Sequence, residues 1–443
     1  MPNIATLRVD PGIDPCDLLF TMIRFSKKRL RLLCCLVCLT QVLTACAAHA
    51  AVPGFAPLPE PSGLRVAIGS DLHLNPDSRP GKDPTQAEFN LELVDALLWD
   101  AARQGASFLL LTGDLVNGGK PHRHAALAQK LKAAEATGLD VCVLPGNHDL
   151  DPVTQTEFAE FYAPFGYDEA YSRDEGSLSY AVVRDGLLIL MLDTGGYPSA
   201  AVDLPGAKPP AEVHAFVSAG TLQWAEDMLR YAQSEGLGVL CAGHYNLLLP
   251  SNQDTGSTGF YFENADKLAA LLKEYAVPLY LSGHAHTRAY YESEGLHELV
   301  TEYLLGYPTA YSVLDLTGDT LTYTPRRIDV DAWARESGQK SAELLHFAQW
   351  QQDKLREYST QNVAYMSERN PLSKTEQREA ADFFYFVMDS FWQGTLHEKR
   401  EAAEAMPGCE AFFRAAEGYA YGWWLRDLLQ SAPPELKGFT IGW

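Results

Sequence analysis

The chain has 443 residues, enough for one large domain and a smaller one, and its 47% apolar and 21% charged residues are those of an ordinary globular protein. The net charge is -22, and setting aside the six basic and three acidic residues of positions 1–45 leaves the rest at -25. So acidic a surface repels nucleic-acid backbones and anionic membranes, which disfavours polyanionic partners unless metals supply local positive charge.

Lys27, Lys28, Arg29 and Arg31 precede the apolar stretch Leu32 to Leu43, which is too short to span a bilayer and suits the core of a signal peptide. It ends in Leu43-Thr44-Ala45-Cys46, which resembles a bacterial lipobox and makes Cys46 the candidate lipid attachment site. The other reading is an ordinary signal peptide cut after Ala48-His49-Ala50. Residues 1–21 are mildly acidic and do not fit a leader, so Met22 is the expected start of translation. Residues 1–45 are therefore assigned to the leader and 46–63, rich in Ala, Pro and Gly, to a tether. Of eight Cys, only Cys142, Cys241 and Cys409 lie beyond Cys46. That is no disulfide framework, and Cys142 and Cys241 fall in strand-like runs as small buried residues.

Leu64 to Ser70 reads as the first strand. Thr85-x-x-Glu88 is a capping box for a helix to about Gln104, stopped by Gly105. Phe108 to Thr112 is the second strand, Pro121 to Thr137 a helix and Val141 to Leu144 the third strand. This β-α-β-α-β order demands parallel strands and places ligands at their carboxyl ends. Leu178 to Val183 and Leu187 to Leu192 form a strand pair turning at Asp185-Gly186. A helix over Thr221 to Ser234, a strand over Val239 to Ala242, a helix over Ala265 to Tyr275 and a strand over Pro278 to Leu281 follow. Thr287 to Arg327 alternates in short pieces around Glu294-Gly295 and Gly318-Asp319 and reads as an antiparallel meander. Residues 329–443 show no strand pattern. Ser373-x-x-Glu376 caps one of several expected helices, and Trp423 and Trp424 are assigned to their core. The expected fold is α/β: two packed mixed sheets with helices outside both, over residues 64–328, and a helical C-terminal appendage. The Pro-rich stretch Gly195 to Gly220 is the longest loop.

Five short motifs follow strand-like runs: Asp71-Leu72-His73, Gly113-Asp114, Gly146-Asn147-His148-Asp149, Gly243-His244 and Gly283-His284-Ala285-His286. One strand-end Asp is usually a turn or cap and one His a satisfied polar residue; five together point to a metal site. Imidazole and carboxylate donors suit Mn, Fe or Zn, and the absence of Cys among them argues against structural zinc. Two divalent ions about 3.5 to 4 Å apart need a shared anionic oxygen such as a carboxylate. His122 and His124 read as part of a solvated helix face, and Asn117 and Arg288 as substrate contacts or loop residues.

The set resembles the calcineurin-like metallophosphoesterase superfamily. The blocks Thr112 to Gly119 and Pro145 to Asp149 are similar to its cyclic-nucleotide phosphodiesterase-like branch. The resemblance implies two divalent metals, one held by Asp71, His73 and His286, the other by Asn147, His244 and His284, with Asp114 bridging. It implies a metal-bridging hydroxide as nucleophile, His148 facing substrate as an imidazolium, and Asp149 orienting it. Tyr245 stands where many relatives carry a second His. The expected function is an exported, membrane-anchored hydrolase of small phosphate esters, a phosphodiesterase, with a phosphomonoesterase or nucleotide phosphatase as the alternative. A non-catalytic surface lipoprotein binding partners through its helical tail is the reading from another class. No protein partner is identifiable from the sequence.

Overall fold

Apolar strands that alternate between two faces build two sheets here, and the carboxyl ends of their parallel strands meet at one edge. The computed structural model describes residues 63–78, 86–195, 215–248, 262–431 and 436–442. The leader, Cys46, nearly all of the tether, Thr85 and most of the Gly195–Gly220 loop lie outside the described residues. All described residues belong to one compact unit, Pro53–Trp443.

The first sheet is centred on β1 (Leu64–Gly69), β2 (Phe108–Leu111) and β3 (Asp140–Val143), which run parallel. The second contains β4 (Ser172–Arg173), β5 (Tyr180–Arg184), β6 (Leu187–Leu192), β7 (Gly238–Gly243), β8 (Leu279–Ser282), β9 (Ala289–Ser293) and β10 (Leu296–Val300), in the order β4-β5-β6-β7-β8-β10-β9. Its middle pairs, from β6 through β7 and β8 to β10, are parallel. The first sheet is completed by β11 (Ala310–Thr317), β12 (Thr320–Arg327) and β13 (Phe439–Gly442), giving β13-β12-β11-β1-β2-β3.

β6 shows why the sheets stack. Its whole run is buried: Leu187, Ile189 and Met191 join the core shared with the first sheet, while Leu188, Leu190 and Leu192 join a second core on the opposite face. A period of two with both faces covered gives such a continuous apolar strand. Helices α1 (Asn90–Arg103), α2 (Pro121–Glu135) and α3 (Gln155–Phe161) contribute to the first core. Helices α4 (Ala219–Glu235) and α5 (Ala265–Glu274) contribute to the second. Asp185 (φ 47°) and Gly186 (φ 81°) make the β5–β6 turn in the left-handed region, as a two-residue hairpin requires.

The remaining helices are α6 (Val330–Glu336), α7 (Ala342–Leu345), α8 (Phe347–Arg369), α9 (Lys374–Trp392), α10 (Leu396–Glu404), α11 (Gly408–Ala415) and α12 (Ala420–Ser431). α8 to α12 enclose a separate core around Phe383, Phe384, Val387 and Phe412. The Ser373/Glu376 capping box opens α9 as expected.

Three expectations are corrected. Thr287 to Arg327 is not one meander: β9 and β10 extend the second sheet, with β10 parallel to β8, while β11 and β12 extend the first. The C-terminal region is not all helical, because β13 pairs with β12. Trp423 is 65% exposed rather than core, while Trp424 is half-buried. The helix expected after Thr85 begins as a 3-10 turn, Gln86–Phe89, and continues as α1 from Asn90; its expected capping residue, Thr85, lies outside the described residues.

Candidate metal centre

Each motif lies just past a strand whose end aims it at the seam between the sheets. The loop after β1 continues the ladder with the loop after β2: the Asp71, His73 and Leu74 N–H groups donate to the Gly113, Asp114 and Leu115 carbonyls at 3.0, 2.9 and 3.1 Å. The loops after β7 and β8 are joined by the Gly283 N–H donating to the His244 carbonyl at 3.0 Å. Nine non-glycine residues among those described have positive φ, and five are Asp71, His73, Asp114, His284 and His286. L-residues rarely adopt this conformation, and clusters of it mark sites whose geometry is imposed by their surroundings.

Two groups of ligand atoms result. Asp71, His73, Asp114 and His286 converge in one, and Asp114, His244 and His284 in the other. The Nε2 atoms of His73 and His286 lie 3.3 Å apart, and His286 Nε2 is 3.2 Å from Asp71 Oδ1. Asp114 faces both groups: Oδ2 is 3.4 Å from His73 Nε2, and Oδ1 is 3.4 Å from His244 Nε2. Asn147 Oδ1 approaches His244 Nε2 at 3.1 Å. His244 is oriented by its Nδ1 donating to the Thr112 carbonyl at 2.8 Å, a contact that fixes the tautomer and leaves Nε2 for a ligand. All seven residues expected to be ligands are thus brought together.

The donor set fits a pair of cations. Asp71 Oδ1 is fully buried and, although His286 Nε2 lies 3.2 Å away, that contact lacks hydrogen-bond alignment, which is rare for a buried carboxylate oxygen unless a further group such as a cation satisfies it. Burial alone would raise the Asp71 carboxyl, yet His286, His73 and His244 hold it well below the usual carboxylate range. Burial opposes charge on His244, but Asp114 and Asp71 push it up to about 9. Buried carboxylates that stay ionised and imidazoles that gain protons make a site that favours positive charge. Gly146 is obligatory: a Cβ there would lie 2.2 Å from Asp114 Oδ1.

His148 sits exposed beside the cluster, its ring edge-on to His73 at 4.7 Å. Partial desolvation and the imidazoles of His73, His244 and His286 lower its pKa, against the pull of Asp114. That shift runs against the imidazolium form that the resemblance implies. Asp149 departs from its expected role as well. Its carboxylate accepts from the Leu115, Val116 and Gly146 N–H groups at 3.1, 2.9 and 2.8 Å, and the His148 ring is not among its partners. It braces the loops that carry Asp114 and Asn147.

His124 is not on a solvated face. It is fully buried, with Nε2 donating to the Asp149 carbonyl at 3.0 Å and Nδ1 2.9 Å from the Tyr162 hydroxyl. His122 is exposed and contacts Asp77, as expected of a surface residue. Arg288 pairs with Glu302 at 3.4 Å, and Tyr245 packs against His284 at 4.3 Å between ring centres.

Sequence reasoning missed Ser70, whose hydroxyl donates to Asp71 Oδ2 at 2.7 Å, and Thr194, whose Oγ1 accepts from the His244 N–H at 3.2 Å. It also missed Tyr303, stacked on His286 at 4.5 Å and 13°. Tyr303 follows β10, so the strand-end rule would have found it had β10 been read as parallel to β8.

Residues 64–288 match the model of the calcineurin-like phosphoesterase family, and residues 329–431 match the C-terminal domain of cyclic nucleotide phosphodiesterase. No curated protein matches the chain. Among solved structures, it is similar to a dimetal phosphatase from Danio rerio at 15% identity and TM-score 0.46, covering 60% of this chain and 96% of that one. A purple acid phosphatase from yellow lupin (Lupinus luteus) seeds is similar at 13% identity and TM-score 0.40, covering 60% and 52%.

Proposed function

The chain belongs to the calcineurin-like phosphoesterase family and is a phosphoric ester hydrolase, and from that membership we propose that it cleaves small phosphodiesters. Asp71, His73 and His286 would hold one divalent ion and Asn147, His244 and His284 the other, with Asp114 shared. The carrying observation is that the two oxygens of Asp114 face these two groups separately. Imidazole with carboxylate suits Mn, Fe or Zn. When bound, such a pair supplies Lewis acidity and lowers the pKa of water towards neutral.

The chain's own residues do the rest. The hydrolysis adds one water across a P–O bond: the oxygen joins phosphorus and the proton goes to the leaving alkoxide. His148 is the one imidazole of the five motifs outside the two ligand groups, and it lies exposed. Its N–H would stabilise an equatorial or departing oxygen. Asp149 holds the His148 backbone in register by bracing residues 115, 116 and 146.

The diester preference draws on the C-terminal match to a domain of cyclic nucleotide phosphodiesterase. Charge points the same way, since a monoester approaches as nearly a dianion and a diester as a monoanion, against an acidic protein. The test is kcat/KM of the metal-loaded protein on a nitrophenyl phosphate and its bis-ester under one metal. A ratio of about tenfold or more towards the monoester, some 1.4 kcal/mol of transition-state binding, makes phosphatase the right name.

The same proposal places the enzyme outside the cytoplasm, tethered through lipid on Cys46, with small phosphate esters rather than nucleic acid as partners. The support is the basic and apolar leader ending in Leu43-Thr44-Ala45-Cys46. Stable anchoring would need more than one acyl chain. Mass spectrometry of the mature N-terminus decides it: an unmodified start at Ala51 removes the anchor and keeps export.

A further inference from the structure

A cavity of about 340 Å³ opens directly from the metal centre, with His286 in its wall. That volume lies within the roughly 300–1,000 Å³ of small-molecule sites. The floor comes from the segment after β10, residues 302 to 308; the opposite wall comes from α8 and α9. Tyr307, Tyr358, Phe391 and Trp392 line it, together with Arg288 and Glu302. Tyr303, flat against His286, joins the cavity to the cluster.

Its polar fittings are unequal. Tyr307 is held in place by its hydroxyl donating to Asp389 Oδ1 at 2.6 Å. Arg288 Nη1 meets Glu302 Oε1 at 3.4 Å, both side chains largely out of solvent. The second oxygen, Glu302 Oε2, is buried and has no hydrogen-bond partner. An unmet buried acceptor is uncommon and calls for a group that satisfies it. Aromatic side chains around a small space select a flat ring by stacking, and a lone carboxylate oxygen selects an N–H on that ring's edge.

We propose that this cavity, built jointly by the segment after β10 and the helices α8 and α9, binds a planar aromatic ring carrying an N–H donor, the organic part of the phosphoester substrate. Glu302 is the specificity-determining residue, and the helical region is a wall of the substrate site rather than an appendage. The placement of the phosphate beside His286 rests on the hydrolase reading given above; binding of the ring does not. A nucleobase and a simple aromatic amine both carry this chemistry.

The test is calorimetric titration of the full chain with adenosine, guanosine, cytidine and 4-aminobenzyl alcohol, none of which can be hydrolysed. At least one should bind. Leu355→Trp, which fills the cavity from α8, should weaken it about tenfold or more. Glu302→Gln, close to isosteric, should do the same by removing the charged acceptor, a loss in the range of one hydrogen bond to a charged group. Binding of the amine alone supports a non-nucleotide substrate, and binding of a nucleoside alone supports a nucleotide. Absence of binding at millimolar ring concentration overturns the proposal, and so does binding that a folded Glu302→Gln variant leaves unchanged. A protein that binds the ring but hydrolyses no ester sinks the hydrolase reading and keeps the cavity; one that hydrolyses esters and binds no ring does the reverse.

Discussion

Asp114 Oδ1 accepts the backbone N–H of His148 at 2.8 Å while facing His244 Nε2 at 3.4 Å. One carboxylate therefore ties the loop that presents His148 to the cluster of ligand atoms. Asp114→Ala should lose both metals, measured as metal content per chain after loading. His148→Ala should keep both and slow turnover by about 10² to 10⁴. A metal-depleted His148→Ala protein would move His148 into the ligand set.

Gly146 carries a steric prediction. Gly146→Ala would put a Cβ 2.2 Å from Asp114 Oδ1 and 2.3 Å from its backbone nitrogen. A rigid carboxylate and main chain cannot both retreat, so the shared oxygen must be displaced. Circular dichroism should remain that of the parent while metal content falls below one ion per chain. Full occupancy in the variant would show that Asp114 is free to adjust.

Asp149→Ala should lower stability where His148→Ala does not. The carboxylate satisfies three buried backbone N–H groups. Stranding buried donors costs about 1–3 kcal/mol each before relaxation or water entry. A clear drop in Tm for Asp149→Ala, beside a near-parental Tm for His148→Ala, is expected. Equal Tm values with equal losses of rate would restore the orienting role that the sequence suggests.

The metal cluster was legible because each motif is local in sequence: a strand end is followed at once by the residues that present the side chains, and three of the five motifs place two residues each in the left-handed region. Hairpins were legible for the same reason, as at Asp185-Gly186. What was not legible depends on distant pairing. Whether β10 lies parallel to β8 or continues a meander is decided by packing, and with it goes the position of Glu302 and Tyr303. β13 is four residues long and gains its meaning only from β12, more than a hundred residues earlier. His124 on a helix pattern with polar neighbours reads as surface until α3 and Tyr162 cover it.

His124 makes the last prediction, on acid stability. Burial lowers its pKa to about 4, opposed only by its bond to the Asp149 carbonyl. In the unfolded chain a histidine titrates near 6.5. Between pH 6.5 and 4 the unfolded state therefore binds a proton that the folded state refuses, and stability rises with pH across that window. The contribution is complete above pH 6.5 and is lost as pH falls through the folded pKa, at most about 3 kcal/mol. His124→Gln removes the titrating group while keeping a donor for the Asp149 carbonyl. Urea unfolding at pH 7, 6, 5 and 4.5 should show the variant less stable at pH 7, with the gap to the parent closing on acidification. A gap that stays constant across this range would mean that His124 takes up its proton inside the fold, and that the Tyr162 hydroxyl turns to accept from it.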